Sequence, residues 1–597
     1  MASSPVTQLT DLATFAVKAA GTDIDARYEI LSLTVERALN RVPSARLVVR
    51  DGSAADENFV AACSADFAPG VKIEVLLGYH SQNTSVFTGI IVKTGVQLER
   101  DGRSSLVVSC RDAAVGMTVG RRSGCFLNTT DSDVMSTLIG RHSGLSANVA
   151  STSGQIEQLT QFAATDWDFL LARAEANGLV VKVVDGTVSV LAPVFSGSAK
   201  LNVTHGFDLL EASLEQDVRT QLSSVACAAW DPATQALVNA TESIENVNQL
   251  GSDTAAKLAS VTGSHAFELN TATPQTSAAL KTWADAQLTK SELAKIRGTV
   301  RFQGNAGLLP ADLLEISGLG GRFDGTAFVG AVTQELQDGQ WTTTATVGVD
   351  PAWFAARPDV SAPAAYALLP SVAGVQIGTV KQIQDDPAKQ FRVLVNVPTV
   401  DNTGHGLWAR LARPYATNNA GWFFYPEVGD EVLLAFLDGD PRYPVIVGSL
   451  HSSSRPPPLP VEAKNNQKAI VTNQQLKVLF DEEKKSITLV TPAGNTAVLS
   501  DDAKAITLTD QNGNSAKLGT DGITLTSASN VAIKAAQNIS LTADAGTVTV
   551  KGTQGVTVTG LTVSLTADTE FSATGNATAK LTAAGETQIQ GAMVMIN

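Results

Sequence analysis

The sequence predicts a mainly β protein, and three observations carry that expectation. Aromatic residues make up only 6% of the chain and charged residues 17%, while Thr, Val, Ala and Gly abound; such a composition favours strands over long helices. Long runs alternate apolar and polar residues and close on turn pairs such as Asp51-Gly52 and Asp101-Gly102. From Asp521 onward the chain keeps an eight-residue rhythm. At 597 residues, about three to five domains are expected.

The elements follow in order. "ARYEILSLTVERALNRVPSARLVVRDG" and "VKIEVLLGYHSQNTSVFTGIIVKTGVQLERDGRSSLVVSCRD" read as closely spaced strands of a barrel or sandwich. "DSDVMSTLIGRHSGL" and "TDWDFLLARAEANGL" switch to helical spacing, the second capped by Thr165 or Asp166 and ended by Gly178. Residues 181–365 return to strands, with one clear helix over about 277–298. The glycine-rich "GLGGRFDG" (318–325) lies between strands with no Lys-Ser/Thr after it, and reads as a turn. Residues 358–374, rich in Pro, Ala and Ser, read as a linker. Residues 375–450 hold about five strands split by Gly, Asp and Pro turns, which fits an OB-fold barrel. "SSSRPPPLP" (452–460) follows as a stiff connector.

The tail divides into octads from DGITLTSA to GETQIQGA, with MVMIN after them. The third and fifth residues of most octads are apolar: Ile523/Leu525, Val531/Ile533, Ile539/Leu541 and Val563/Leu565. In two consecutive octads the pair slips by one, to Val548/Val550 and Val556/Val558, and then returns. A period of two inside each octad means a short strand with one dry face. Two structures fit. One is a lone solenoid with about three octads per rung. The other is three chains wound about one axis, where the apolar pairs meet and rings are expected to be excluded.

Composition bounds the function. A net charge of −15 disfavours nucleic acid as a partner. No basic region precedes an apolar run at the N-terminus, so no signal peptide is expected, and no window holds the ~18 apolar residues of a membrane helix. Cys63, Cys110, Cys125 and Cys227 lack metal spacing and are expected to be reduced thiols. The histidines, at 80, 142, 205, 265, 405 and 451, are scattered. G-x-S-x-G, H-E-x-x-H and Walker patterns are absent. No catalytic, cofactor or metal residue is therefore expected, and the chain reads as a non-enzyme. Asp385-Asp386 and Asp438/Asp440 could be proposed as acid and base, although "DGDPRYP" is better explained as a tight turn.

"GWFFYPEVGDEVLLAFLDGDPRYPVIVGSL" (Gly421–Leu450) resembles the central barrel of VgrG-type spike proteins of contractile injection systems. The octads resemble their triple-stranded β-helix needle, and "NRVPSARLVVRDG", "FTGIIV" and "TDWDFLLARAEANGL" resemble the hub of phage tails. The resemblance implies four regions: a hub with two β-barrels and helical insertions (1–365), an OB-fold barrel (375–455), a connector (456–485) and an intertwined trimeric β-helix needle (486–597). It implies a homotrimer that caps the inner tube at the baseplate, matches a sixfold tube to a threefold needle, and is driven through a target envelope when the sheath contracts.

The needle axis would be built from Ile523, Leu525, Val531, Ile533, Ile539, Leu541, Val548, Val550, Val556, Val558, Val563 and Leu565. Met593, Val594, Met595, Ile596 and Asn597 would dock a PAAR-like tip protein, since exposed apolar ends usually mark a contact. Gly421, Trp422, Phe423, Pro426, Gly429 and Asp430 carry the barrel motif, with the aromatic run Trp422–Tyr425 expected to pack barrel against hub rather than to serve as a ligand platform. Partners implied are inner-tube and tube-initiator proteins, baseplate proteins and effector cargo; a membrane would be touched only mechanically. Assembly in the bacterial cytoplasm is expected, within a phage-tail-like particle that is then released or membrane-anchored. The short chain, its opening and the expected absence of an effector domain after the needle favour an extracellular system over type VI secretion, and the short 451–485 gap is expected to hold no lysozyme-like insert of the kind some phage spikes carry. The alternative class is an envelope-degrading or carbohydrate-active β-helical enzyme.

Overall fold

The computed structural model describes residues 3–6, 12–55, 57–263 and 266–596. They divide into two compact units, Met1–Leu450 and His451–Asn597.

In the first unit, a thirteen-stranded sheet covers two hydrophobic cores. Strands Ile30–Ala38, Ser44–Arg50, Lys72–Tyr79, Gln82–Leu98 and Ser104–Arg111 pair antiparallel. Their alternate residues, such as Leu33, Leu47, Ile73, Val75 and Val108, fill the first core. Strands Ile296–Gln303, Leu313–Ser317 and Gln340–Val347 cover the second, with Val300, Phe302 and Ile316 inside.

The two expected barrels are joined through one long strand, Gly325–Gln337. Its first half pairs with Leu313–Ser317 and puts Ala327 and Val329 into the second core. Its second half pairs with Ile30–Ala38 and puts Leu336 into the first. The register shifts between Val329 and Ala331. Only glycine fits between them: a Cβ on Gly330 would lie 2.1 Å from the Gly348 carbonyl oxygen.

The second helical insertion starts at its expected cap, Thr165, and the first starts at Thr130, for which no cap was anticipated. Thr130 and Thr165 each accept a backbone N–H three residues on, at 3.2 and 3.0 Å, opening helices Asp131–Gly140 and Asp166–Ala176. Gly178 follows the second with φ +67. The helix expected over 277–298 is shorter, Ser277–Leu293. Residues 296–303 instead join the sheet against Leu209–Gln216, where Gly298 passes so close that a Cβ would meet the Ser213 oxygen at 2.0 Å. A further helix, Ala255–Val261, was not anticipated; Thr254 caps it.

The long helix is tied to the chain leaving the hub by a half-dry cluster. Lys290 and Glu175 form an ion pair with side chains 11% and 15% exposed. The Glu175 carboxylate also accepts the Phe354 N–H at 2.8 Å, while the Lys290 ammonium donates to the Ala352 oxygen at 3.0 Å and sits 4.3 Å from the Trp353 ring centre.

Residues 376–450 form a closed five-stranded barrel: Gln376–Gln382, Val393–Asn396, Leu407–Leu411, Pro444–Leu450 and Glu431–Phe436, in spatial order. Val380, Val395, Ala409, Val432, Leu434 and Ile446 fill it.

In the second unit, strands begin earlier than the sequence suggested. Residues 456–485, expected to be a connector, contain the strand pair Gln467–Val471 and Lys477–Asp481. These open a seven-stranded antiparallel meander that runs to Gly522–Thr526. The Ser/Pro run 452–460 before them made them read as connector.

Candidate functional site: an unpartnered aliphatic face

The meander owes its regularity to a nineteen-residue unit. Residues 467–485 and 486–504, and the shortened unit 505–521, each give two strands, joined within the unit by five-residue turns and followed by turns of four residues or, after the last, two. The five-residue turn is closed the same way each time. Thr472, Thr491 and Asp510 accept the N–H four residues on, from Leu476, Asn495 and Asn514, at 3.1, 3.2 and 2.8 Å. The signal was present in the sequence, but its period is more than twice the octad that drew attention.

Pairing register collects most of the large apolar residues onto one face, with Leu479 and Val498 among those left on the other. Phe480, Ile487, Leu499, Ile506, Leu518 and Ile523 form one row; Ile470, Val478, Leu489, Ala497, Leu508, Ala516 and Leu525 form the next. The other face carries Thr488, Thr507, Lys517 and Thr524 among its residues. Within this chain the aliphatic face has no cover: Ile506 is 44% exposed and Leu508 51%. So large an apolar surface marks a contact. Of the twelve proposed axis residues, Ile523 and Leu525 lie in these rows; the residues before them were missed.

Beyond Thr526 the described residues form no strand with any other part of the chain. The octad beat is nevertheless visible as bends at 528, 536, 544–546, 553, 561, 568, 576, 584 and 592. Every step is eight residues except two: 544 to 553 is nine, and 561 to 568 is seven. These two steps account for the slip and return of the apolar pairs. Val548 and Val550 are 55% and 69% exposed, against 54% and 71% for Ile539 and Leu541, so the displaced pairs occupy equivalent places. Val531, Ile533, Val556, Val558, Val563 and Leu565 are exposed in the same manner. Phe571 stands at the next pair position, so rings are not excluded from this side of the tail. Met593 to Ile596 are exposed at the end; Asn597 lies outside the described residues.

The barrel motif has a structural role that the sequence concealed. Gly429, at φ +86, donates to the Val380 oxygen at 2.7 Å, and Asp430 accepts the Glu427 N–H at 2.8 Å, so Pro426–Asp430 is the turn that launches Glu431–Phe436. Gly421, at φ +140, allows a close pass over Tyr415. The aromatic run does not pack barrel to hub. Trp422, Phe423 and Phe424 are exposed, Phe423 to 83%. They form a ribbon in which Trp422 faces Phe424 at 5.9 Å and Phe423 faces Tyr425 at 5.4 Å. Arg413 pins it, donating to the Trp422 and Phe424 oxygens at 2.6 and 3.2 Å and lying 4.3 Å from the Tyr425 ring centre.

The polar candidates are absorbed by structure. Asp386 binds Arg392 and caps its own loop, and Asp440 binds Arg442. His142 bonds the buried Asp166 at 3.0 Å, beside Arg141 and Gln161. Burial pushes the Asp166 carboxyl up, but hydrogen bonds from Gln161 and His142 and the nearby arginines outweigh it and hold it below the usual range. His405 bonds Thr403; His265 lies outside the described residues. Among the described residues no group of three or more His, Cys, Asp or Glu is placed to hold a metal.

Residues 9–338 match the family described as the Alg8 N-terminal domain, and residues 376–451 match the type VI secretion system/phage-baseplate injector OB domain. The type VI secretion system spike protein VgrG1a of Pseudomonas aeruginosa is 32% identical over 66 residues, 11% of this chain and 10% of that one. The chain belongs to the Alg8 N-terminal domain family, and over this short stretch it is similar to VgrG spike proteins. The actin cross-linking toxin VgrG1 of Vibrio cholerae is 29% identical to this chain over 96 residues, 15% of this chain and 9% of that one. The matched stretches thus span a tenth or less of these curated relatives. Among solved structures, the tail protein of Neisseria meningitidis MC58 aligns with a TM-score of 0.43 and 16% identity, covering 59% of this chain and all of that one.

Proposed function

We propose that three copies of this chain form the spike of a contractile injection machine. One observation carries the reading: the aliphatic face of the meander continues into some seventy residues whose backbone finds no strand partner in its own chain. Unpaired strand edges and bare aliphatics are both relieved when copies wind together. Burial is worth roughly 1.5–3 kcal/mol gross for each Val, Ile or Leu, and it recurs at every level in every copy. A lone solenoid would instead pair its rungs within the chain.

In this reading the hub of 1–365 and the barrel of 376–450 sit at the baseplate and cap the inner tube, matching its sixfold symmetry to the threefold needle. The needle, with Met593–Asn597 seating a PAAR-like tip protein, is pushed through a target envelope by sheath contraction. Tube-initiator proteins, other baseplate proteins and effector cargo are the partners. The spike is assembled in the bacterial cytoplasm as part of an extracellular, phage-tail-like system. Its work is mechanical. The commitment of Asp386 and Asp440 to arginines and turns supports this over an envelope-degrading enzyme.

The mass in solution tests the reading. Light scattering should give three times 62.2 kDa. A particle of one chain mass would overturn it.

A further inference from the structure

The trimer reading leaves a question that its repeat cannot answer. Octads are so alike that one chain could slide by eight residues and still bury aliphatic pairs against aliphatic pairs. Register is weakly specified in repeats of this kind. Something must choose one alignment of three.

Phe571 breaks the degeneracy. It is the one ring in residues 521–597. It follows the pattern of bends into the first place of its pair, five residues before the bend at 576, as Val531 stands before 536 and Ile539 before 544. Its pair partner is Ala573, where the preceding octads have Leu525, Ile533, Leu541, Val550, Val558 and Leu565. The first place of the following pair is again alanine, Ala579. A large side chain is thus bracketed on its own face by two of the smallest. Among the described residues nothing covers the ring, which is 65% exposed.

We propose that Phe571, bracketed by Ala573 and Ala579, is the register key by which three copies of this chain align level with level. The proposal rests on the trimer reading. In register, three rings meet at one level and fill the space that six alanines vacate. After a slip of one octad toward the preceding pair, the ring of one chain faces Val563 and Leu565 of its neighbours, where no space was left, and their alanine gap stands empty. Overpacking and a void penalise the same error. The nine- and seven-residue steps lie upstream, and the key repeats the constraint near the distal end.

The test uses the full chain with Cys63 and Cys125 replaced by Ser and a nitroxide at Thr574→Cys. The parent should be a trimer with one narrow interspin distance. In the F571V/A573V variant the octad copies the Val/Val pairs Val548/Val550 and Val556/Val558, so assembly should persist while a second, longer distance grows in. A single narrow distance in that trimer would overturn the key and leave the trimer standing. A parent of one chain mass would overturn both. Should F571V/A573V not assemble, F571A decides in the same readout: two distances support the key, one overturns it.

Discussion

Asn495 and Asn514 stand nineteen residues apart and do the same work. The side-chain oxygen of Asn495 accepts the Gln511 N–H of the next turn at 3.1 Å, and that of Asn514 accepts the Ala528 N–H at 3.0 Å. Each is held in place from below, Asn495 by Thr491 and Asn514 by Asp510. Together they clip successive turns along one edge of the meander, and Asn514 fixes where the extended octads begin.

Replacing Asn495 with alanine should cost about 1–3 kcal/mol, the net worth of its two bonds, and replacing Asn514, which also accepts the Ser527 hydroxyl, should cost more. The two losses should couple, because Gln511, which Asn495 clips, lies in the turn that Asn514 closes. The aspartate variants discriminate further. N495D should be mild, since the Thr491 hydroxyl can turn and donate to a carboxylate. N514D should be worse than N514A, since it places a second carboxylate against Asp510. Thermal unfolding of the four variants checks the order.

A charge in the octads tests assembly. Val556→Asp puts one carboxylate per chain at a pair position, and in a trimer three would share one level of a dry axis. Desolvation and like-charge repulsion both oppose that. The variant should be monomeric, or trimeric with a frayed end, by light scattering and limited proteolysis. A heat-resistant trimer of normal mass would contradict the placement of Val556.

Much of the fold was legible because its periods are short. Ile73, Val75 and Leu77 alternate inward as their spacing says, and Thr165 caps its helix as its position says. What failed failed for tertiary reasons. "KIRG" (295–298) continues a helical pattern, but pairing with Leu209–Gln216 captures it into the sheet. Ala255–Val261 presents mainly small residues and gives little periodic signal. The first strands of the meander were missed because the Ser/Pro run 452–460 read as a connector and the octad period starts only at Asp521. The aromatic ribbon was legible as aromatic but not as exposed, because its anchor, Arg413, though only nine residues before Trp422, carries no signal of that contact until the chain folds.

The four thiols should divide cleanly. Cys63 and Cys125 are exposed, while Cys110 and Cys227 are buried. Burial pushes the Cys110 thiol up to about 12 and raises that of Cys227 as well. A thiol reagent at pH 8 should label Cys63 and Cys125 in the native chain, and Cys110 and Cys227 only after denaturant. Mass spectrometry of the labelled peptides gives the assignment; native labelling of Cys110 would contradict the first core.

Acid should loosen the barrel at one loop first. The Asp401 carboxyl accepts the hydroxyl and N–H of Thr403 and the N–H of Gly406, which hold its pKa down at about 2. A carboxylate depressed in the fold stabilises it above the ordinary value of 3.8, and that contribution is lost as pH falls through the folded value. Exchange protection of the Thr403 and Gly406 amides should therefore fall between about pH 4 and pH 2. In D401N the same protection should be weaker at neutral pH and should lose its acid dependence.

The Glu175–Lys290 pair should be more costly to break than to replace. Burial pushes the Lys290 ammonium below its usual value, against the pull of Glu175. Removing Glu175 alone leaves that ammonium nearly dry and frees the Phe354 N–H, so E175A should lose about 3–5 kcal/mol, the range for uncovering a buried charge. The double variant E175L/K290M removes the charge with its partner and fills similar volume, so it should recover much of the loss. Because Glu175 and Lys290 together hold Ala352–Phe354, E175A should also open the chain to protease just after Val349. Unfolding by denaturant gives the energies and the cleavage map gives the place. Equal loss in the single and double variants would mean that packing, not charge, holds this clasp.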